Sequence, residues 1–505
     1  MTTTRVQPES PYRWRWPALI ALLVAEAMNL LDATIVTVAA PVIHDRLGGS
    51  AADIQWYTAA YTLSFSVLLI AGGRLGDIYR RRAVFQVGVA GFLVTSVACA
   101  LAPSTGALIA ARVVQGAMAA LAIPQTIGMI KEMFAGPEMS RAMGSIGPVM
   151  GLAAVCGPIA GGVLTHADLF GMSWRSVFLV NAPLGLAVLA VSPLLREPVP
   201  TRRPSLDLAG NALAVAGSAL VVHPLIQGSS SGWRWWSWLS IAGGVAVLAI
   251  LVWHQRRRDR RRRSALVEVS LFANPGFPAA LATSVLFFAV VNGLTLVVVL
   301  HLQLGLGLDV LPAGLSLLPW SAAMAVASWV AGTRLVPRYG ARVMYAGLVA
   351  LSAGTVLAAT IYQFGSAGAF PRLVLAGFVV LGAGQGLFAV PFFTTALHRV
   401  HPQETGSAAG LLNAVQQLGA TLGTAVLGTV FLRITAASTA SHGIRDAFWV
   451  AAGLLLVTGV ATRRMLRHEA ATQGCSRGAE RMGVGEQNDA PPPTTGARDQ
   501  REKRA

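Results

Sequence analysis

The sequence predicts an all-α integral membrane protein with fourteen transmembrane helices, and three observations predict that class. The 505-residue chain is 54% hydrophobic and only 12% charged, whereas soluble domains carry about 25% charged residues. Apolar runs of the length that a bilayer requires, about 20 residues, recur along most of the chain. Basic residues concentrate in every second gap between these runs. Helix is the predicted element, because open strands leave backbone groups without hydrogen bonds in hydrocarbon.

The fourteen predicted spans form three groups in chain order. The first six are 17–40, 54–72, 84–101, 107–130, 142–165 and 176–195. The next two, 208–227 and 238–253, precede an arginine-rich segment. The last six are 278–302, 312–336, 343–361, 373–397, 408–432 and 448–465. The polar segment 1–16 leads into a span with no small-residue cleavage site behind it, which predicts a retained first span rather than a signal peptide.

Charge asymmetry tests the span count independently of hydropathy. The even-numbered loops hold 20 Lys and Arg residues and the odd-numbered loops hold 6. The positive-inside rule therefore places the even-numbered loops and both termini in the cytoplasm, with the protein in the plasma (inner) membrane. A missed span would invert the alternation downstream, and no inversion occurs. The net charge of +17 is explained by these loops, so it gives no reason to expect a nucleic-acid partner.

The chain repeats itself at a separation of about 260–270 residues. Span 4 carries Gln115-Gly116 and span 12 carries Gln385-Gly386, and spans 5 and 13 share glycines at matching offsets. Internal repeats are typical of transporters. The predicted organisation is an N-terminal tail at 1–16, a six-helix bundle at 17–195, an inserted hairpin at 207–253, a basic cytoplasmic loop at 254–277, a second six-helix bundle at 278–465 and a disordered tail at 469–505.

Seven arginines between 256 and 263 make the basic loop the most charged part of the chain. One interpretation is a topology anchor on a cytoplasmic loop. The other is a binding site for anionic lipid. The sequence leaves both open.

Five motifs, in order and on the matching spans, resemble the major facilitator superfamily, and within it the fourteen-span drug:proton antiporter branch. They are 31–41 in span 1, 73–82 in the loop after span 2, Arg112 with Gln115 and Gly116 in span 4, 153–162 in span 5, and 174–185 at the entry to span 6. The match departs from the pattern at Thr37, where asparagine is usual, at Arg80, where glycine is usual, and at Ala153, where glycine is usual.

The resemblance implies two six-helix bundles that expose a central cavity to each side of the membrane in turn. It implies proton-coupled efflux of small amphipathic organic molecules such as drugs, dyes and antibiotics. A dedicated exporter of one metabolite or natural product is the alternative, since fold does not fix function. An enzyme is not expected, because the chain lacks a nucleotide-binding loop and a cluster of catalytic residues at one depth. The expected partners are the substrate, protons and the bilayer, without cofactor or metal, and the expected state is a monomer.

Charged residues at mid-membrane are the candidates for proton coupling, because each costs about 2.5–3.5 kcal/mol to insert. Glu26, Asp32 and Arg112 are the ones well inside predicted spans. At 1.5 Å per residue, Asp32 lies about 12 Å from the outer end of span 1 and Arg112 about 8 Å from that of span 4. The two are therefore predicted to meet. Glu26 lies about 240° round the helix from Asp32, on another face.

Two further groups of residues follow from the motifs. The resemblance implies a cytoplasmic gate that comprises Gly73, Asp77, Arg81 and Arg82. It implies an interface role in span 5 for Gly157, Pro158, Gly161 and Gly162, since small residues let helices approach closely. Polar side chains on predicted inner faces are candidates for the substrate cavity: Asn29, Gln115, Gln125, Asn292, Gln385, Asn413 and Gln416.

Overall fold

The structure is a computed structural model that describes residues 12–134, 136–168, 171–197, 206–231, 233–261, 271–272, 276–364, 372–397 and 405–486. Helices and short turns account for every regular element in these ranges, and no strand occurs in them. The all-α class is therefore confirmed.

The first bundle contains eight helical segments, several of which join into one predicted span. They are α1 (Arg15–Leu47), α2 (Ala51–Tyr79), α3 (Arg81–Ala100), α4 (Thr105–Met133), α5 (Gly136–Gly144), α6 (Ile146–His166), α7 (Ser176–Leu179) and α8 (Asn181–Val191). Short 3₁₀ turns at Ser173–Arg175 and Ser192–Leu194 flank the last two.

The hairpin and the second bundle follow. The hairpin is α9 (Leu208–Ser231) and α10 (Trp235–Arg260). The second bundle comprises α11 (Gly276–Leu300), α12 (Val310–Ser316), α13 (Leu318–Val330), α14 (Val336–Tyr339), α15 (Val343–Phe364), α16 (Arg372–Leu397), α17 (Thr405–Ala437) and α18 (Ala440–Glu486). Single π turns extend α11 at His301–Gly305 and α13 at Ala331–Leu335.

Among the residues that the structure describes, thirteen helical stretches are long and apolar enough to cross a membrane. One of them, Val310–Phe364, is 55 residues long and contains the tenth and eleventh predicted spans. A single straight helix of that length would measure about 82 Å at 1.5 Å per residue, more than twice what one crossing needs. Gly340, with φ of 59°, interrupts it between α14 and α15. The number of fourteen spans therefore stays a prediction. Thirteen stretches fall short of it, but one stretch that contains two predicted spans is compatible with it.

Contacts between helix ends define two ends of the molecule. At the proximal end, where α1 begins, Arg15 pairs with Glu138 before α6, and Tyr12 donates to the Leu194 carbonyl after α8. At the distal end, Thr105 at the start of α4 donates to the Gly48 carbonyl after α1. The helices therefore alternate in direction between the two ends, as the charge pattern predicts for consecutive spans.

Glycines allow close helix packing in both bundles. A Cβ on Gly72 of α2 would overlap the backbone of Ala120 in α4. A Cβ on Gly423 of α17 would overlap the backbone of Ala289 in α11. Small residues at such crossings replace the hydrophobic driving force that membrane helices lack.

The sequence analysis places a disordered tail at 469–505, yet α18 continues to Glu486. Residues 469–486 are therefore helical in the structure, because proline, which ends a helix, is absent from 466 to 490 and first appears at Pro491. Residues 487–505 lie outside the described ranges.

A buried carboxylate joins the two helices of the inserted hairpin at the proximal end. Asp207 precedes α9 and is 1% exposed. Its carboxylate accepts hydrogen bonds from the Gly210 amide at 3.0 Å and the Gln255 amide at 2.9 Å, and it pairs with His254 at 3.0 Å and Arg258 at 3.5 Å. Burial opposes ionisation, but these partners outweigh it and lower the pKa of Asp207 below its usual 3.8.

We expect Asp207→Asn to destabilise the protein by about 1–3 kcal/mol, because the amide cannot accept all of these bonds. The lowered pKa means that Asp207 contributes stability above its unfolded pKa, and that this contribution is lost as pH falls through the folded pKa. The difference in melting temperature between wild type and variant should therefore be constant from neutral pH to about pH 4 and shrink below it. Asp259→Asn, an exposed position on α10, serves as the control and should melt like wild type.

Candidate functional site

A fully buried ion pair lies in the distal half of the first bundle. Asp32 comes from α1 and Arg112 from α4, and both side chains are 0% exposed. Arg112 Nη1 lies 2.5 Å from Asp32 Oδ2. The structure thus brings together the two residues whose depths in the sequence match.

Two amides complete the hydrogen bonding of the Asp32 carboxylate, and a serine hydroxyl holds both amides. Gln115 Nε2 donates to Asp32 Oδ1 at 3.1 Å, and Asn181 Nδ2 donates to the same oxygen at 2.8 Å. Ser96 Oγ accepts from both amides, at 3.0 Å and 2.9 Å. The carboxylate is therefore held by helices α1, α3, α4 and α8 at once.

Arg112 has partners that do not depend on Asp32. Its Nε donates to the Tyr57 carbonyl at 2.9 Å, and its Nη1 donates to Gln115 Oε1 at 2.7 Å. The guanidinium carbon lies 4.3 Å from the centre of the Tyr61 ring, a cation–π contact. Nη2 has no hydrogen-bond partner among the residues that the structure describes. Protonation of Asp32 would thus remove the ion pair that joins α1 to α4, and Arg112 would keep its other partners.

A second carboxyl group, Glu26, lies two turns toward the proximal end of α1 and is half-buried. Thr126 Oγ1 of α4 donates to Glu26 Oε1 at 2.6 Å. Between the two carboxyl groups, the Tyr61 hydroxyl donates to Asn29 Oδ1. Glu26 is therefore separate from the Asp32 network but lies on the same α1–α4 contact.

The span-5 motif divides its contacts between the two bundles. Gly157 and Gly161 face α1, where a Cβ on Gly157 would overlap Thr34 Oγ1 and one on Gly161 would lie 3.0 Å from the Ile35 carbonyl oxygen. A Cβ on Gly162 would lie 3.1 Å from Leu311 Cα in the second bundle. In turn, a Cβ on Gly314 would lie 2.6 Å from the Pro158 carbonyl oxygen. Helix α6 therefore packs between the helix that carries Asp32 and the second bundle.

We expect Gly157→Ala to reduce transport at least about fivefold, because the added methyl overlaps Thr34 and must displace α1 two residues from Asp32. Gly151→Ala on the same helix is the matched control, since a Cβ there meets no atom within 4 Å. Both variants add one methyl group to α6. Equal transport rates at equal expression would contradict the prediction.

The predicted cytoplasmic gate residues make their described contacts inside the first bundle. Asp77 at the end of α2 and Arg81 at the start of α3 pair at 2.5 Å across the junction of these helices, and Arg82 donates to the Pro193 carbonyl at 3.2 Å. Gly73 approaches Pro124 of α4. Arg80, at the position where the resemblance has glycine, adopts a φ of 155°, a region that glycine enters more readily. The structure describes no contact between the four predicted gate residues, which do not include Arg80, and the second bundle.

The seven cavity candidates fall into different environments. Gln115 belongs to the Asp32 network, and the buried Gln125 donates to the Gly72 carbonyl at 2.8 Å, so neither lines a cavity wall. Asn292 donates to its own helix, and Gln385 accepts from the Trp320 indole at 2.8 Å. Asn413 and Gln416 on α17 are half-buried, and Asn29 is 9% exposed.

Sequence reasoning missed two residues that contact Asp32 or its partners, Asn181 and Ser96. Asn181 lies inside the span-6 motif, so the motif pointed to it without a stated role. Ser96 has no motif, because a serine in an apolar helix most often bonds its own backbone.

Comparison with known proteins identifies the family. A sequence model of the Major Facilitator Superfamily matches residues 22–226 and 208–424. The chain belongs to this superfamily. It is 42% identical over 471 residues, 92% of this chain and 81% of the relative, to a probable actinorhodin transporter of Streptomyces coelicolor. It is 33% identical over 427 residues, 84% of this chain and 77% of the relative, to a tetracenomycin C resistance and export protein of Streptomyces glaucescens.

Solved structures of superfamily members share the fold. A bacterial homologue of the human lysosomal transporter Spinster, in an inward-facing and occupied conformation, aligns with a TM-score of 0.64 at 17% identity, and the alignment covers 91% of this chain and 98% of that one. A POT family transporter in complex with a thioalcohol-conjugated peptide aligns with a TM-score of 0.65 at 13% identity, covering 90% and 98%. This major facilitator is therefore a multi-pass membrane transporter and not an enzyme.

Proposed function

We propose that this major facilitator exports small amphipathic organic molecules across the plasma membrane in exchange for protons. The observation that carries the proposal is the Asp32 carboxylate, fully buried against Arg112 in the bundle. Charges at this depth are retained for function far more often than for stability. Relatives whose names include export or resistance, such as the cephamycin export protein of Amycolatopsis lactamdurans at 35% identity, support the outward direction.

The proposed mechanism starts at Asp32. A neighbouring arginine favours the ionised form of a carboxyl group, whereas desolvation favours the neutral form. Access of water to one side of the membrane or the other then decides whether the group binds or releases a proton. Proton binding to Asp32 weakens the contact between α1 and α4. The position of Arg112 on α4 does not change, because it keeps Tyr57 and Gln115 as partners.

The same helix connects this event to the second bundle. Two residues after Asp32, Thr34 lies against Gly157 of α6, and α6 contacts α12 through Pro158 and Gly314. Four residues further, the Val38 carbonyl accepts a hydrogen bond from Gln303 of the second bundle at 2.7 Å. A shift of α1 would therefore change two of the contacts that join the bundles. This route gives proton binding a physical path to alternating access.

The positive-inside rule supports an orientation with the proximal end, and both termini, in the cytoplasm. The distal end then faces outward, and the inter-bundle contacts of α6 and Gln303 belong to a state closed to the outside. Glu26, nearer the cytoplasm, is proposed as a second carboxyl group reached from the inner side.

Everted membrane vesicles test the proposal. When the vesicle interior is acidic, the vesicles should accumulate a fluorescent amphipathic dye. A protonophore should then release the dye within the mixing time. Vesicles without the protein provide the background. Accumulation that survives the protonophore would contradict proton coupling, and absence of uptake for every compound in a broad panel would contradict the amphipathic substrate class.

A dedicated exporter of one natural product is the second candidate, and the 42% identity to a probable actinorhodin transporter favours it. A panel distinguishes the two functions. Broad efflux predicts that expression raises resistance to several unrelated compounds, whereas dedicated export predicts protection against one aromatic or otherwise related set alone.

A further inference from the structure

The proximal end of the inserted hairpin carries a basic cleft that the transport mechanism does not use. His254, Arg257, Arg258 and Arg261 line it, and its volume is about 180 Å³. These residues share one face of α10, because offsets of three, four and seven residues fall within about 60° of that face's centre on a helix. The cleft is separated from Asp32 along the chain and belongs to neither bundle.

The helix that carries the cleft also has a broad exposed apolar surface. On one side, α10 packs against α9, where Gly244 lies against Val221 and Leu220. The other side leaves large hydrophobic residues exposed: Trp238 at 61%, Leu239 at 63%, Val245 at 57%, Val252 at 51% and Trp253 at 59%. In a membrane this surface contacts acyl chains.

Tryptophans place the cleft at the level of the lipid headgroups. Trp235 at the distal end and Trp253 at the proximal end lie eighteen residues apart on α10, about 27 Å at 1.5 Å per residue. This length matches the hydrocarbon core of about 30 Å, whose boundaries tryptophan prefers. Arg257 follows one turn beyond Trp253, with its guanidinium carbon 5.3 Å from the Trp253 ring centre.

The cleft carries a net positive charge. Asp207 pairs with His254 and Arg258, and its lowered pKa keeps this carboxylate ionised at physiological pH. Three arginines line the cleft, whereas the adjoining Asp207, which pairs with Arg258, contributes one negative charge. Asp259 lies about 150° away round the helix and does not offset this charge. Guanidinium groups bind phosphate oxygens in pairs of parallel hydrogen bonds.

We propose that this cleft binds an anionic phospholipid, with the headgroup phosphate on Arg257 and Arg261 and the acyl chains along the exposed face of α10. Basic pockets at the ends of transmembrane helices hold lipid phosphates in this way. The neighbouring apolar surface favours a lipid over free inorganic phosphate, which gains nothing from it. The bound lipid would hold the hairpin at a fixed depth beside the two bundles.

Native mass spectrometry of the full chain in detergent tests the proposal, with phosphatidylglycerol as the ligand and phosphatidylcholine as the zwitterionic comparison. The cleft variant is Arg257→Gln/Arg261→Gln. The matched control, Arg256→Gln/Arg260→Gln, removes the same charge from exposed positions about 100° round α10 from Arg257 and Arg261. We expect the cleft variant to weaken phosphatidylglycerol binding at least about tenfold, and the control to change it less than about twofold.

Three results would overturn the proposal. Equal weakening by both variants would indicate non-specific attraction by the charged loop. Equal binding of phosphatidylglycerol and phosphatidylcholine by wild type would exclude recognition of negative charge. Displacement of the lipid by inorganic phosphate at millimolar concentration would assign the cleft to a free anion. Thermal melting should show that both variants are equally folded, because all four arginines follow the tryptophan at the proximal end of the hydrocarbon-spanning part of α10.

Discussion

Asp32→Asn is expected to reduce proton-driven accumulation in everted vesicles by at least about a hundredfold, while exchange of labelled for unlabelled substrate continues. The amide removes the titratable group but keeps the shape and part of the hydrogen bonding to Gln115 and Asn181. Net uphill transport needs a proton to bind and leave in each cycle, whereas exchange needs only the movement of the bundles. The two assays therefore separate coupling from folding and from substrate binding.

A static ion pair is the competing explanation, and a second variant distinguishes it. Asp32→Asn alone leaves Arg112 as an uncompensated buried charge, which costs about 3–5 kcal/mol. Asp32→Asn/Arg112→Gln removes both charges and should recover much of that stability. If Asp32 couples protons, the double variant melts near wild type but does not accumulate substrate. Recovery of driven accumulation would falsify the coupling role.

The sequence predicted most of the architecture because the bilayer constrains it strongly. Span length, basic loops and the repeat all follow from requirements that act on every residue of a span. The tail predicted at 469–505 overlaps α18, which continues to Glu486, because composition alone does not fix where a helix ends. Length alone does not decide whether Val310–Phe364 contains one membrane span or two, and the positive φ of Gly340 marks a break within it.

The charged residues of the site could be predicted from the sequence, whereas its neutral polar residues could not. Asp32 and Arg112 stand out because a charge inside a span is expensive, and their depths suffice to predict contact. Ser96 and Asn181 carry no such cost, and their role depends on the angle at which α3 and α8 meet α1. Gln115 was placed in the cavity, because position along a helix does not reveal which neighbour its amide will meet.

The contact between α6 and α12 gives the second large effect, which we expect from Gly314→Ala. A Cβ at Gly314 would lie 2.6 Å from the Pro158 carbonyl oxygen, and backbone atoms cannot rotate away as a side chain can. The contact joins the two bundles, so the added methyl disfavours the state closed at the distal end without disturbing either bundle. A displacement worth about 1.4 kcal/mol shifts the balance of the two states tenfold, and we expect transport to fall by a similar factor.

Cross-linking measures the closed state directly, because Thr62 of α2 and Thr421 of α17 join the bundles through a hydroxyl contact of 2.7 Å. Thr62→Cys and Thr421→Cys, in a chain whose three native cysteines are replaced by serine, should form a disulfide under mild oxidation. Gly314→Ala should slow this reaction about tenfold. Gly332→Ala is the control, because its Cβ would lie 3.7 Å from Val390, and it should leave the rate of disulfide formation unchanged. If both glycine variants cross-link at the same rate, the distal contact of α6 does not control closure, and proton binding at Asp32 would have to reach the second bundle through other contacts, such as that of Gln303 with Val38.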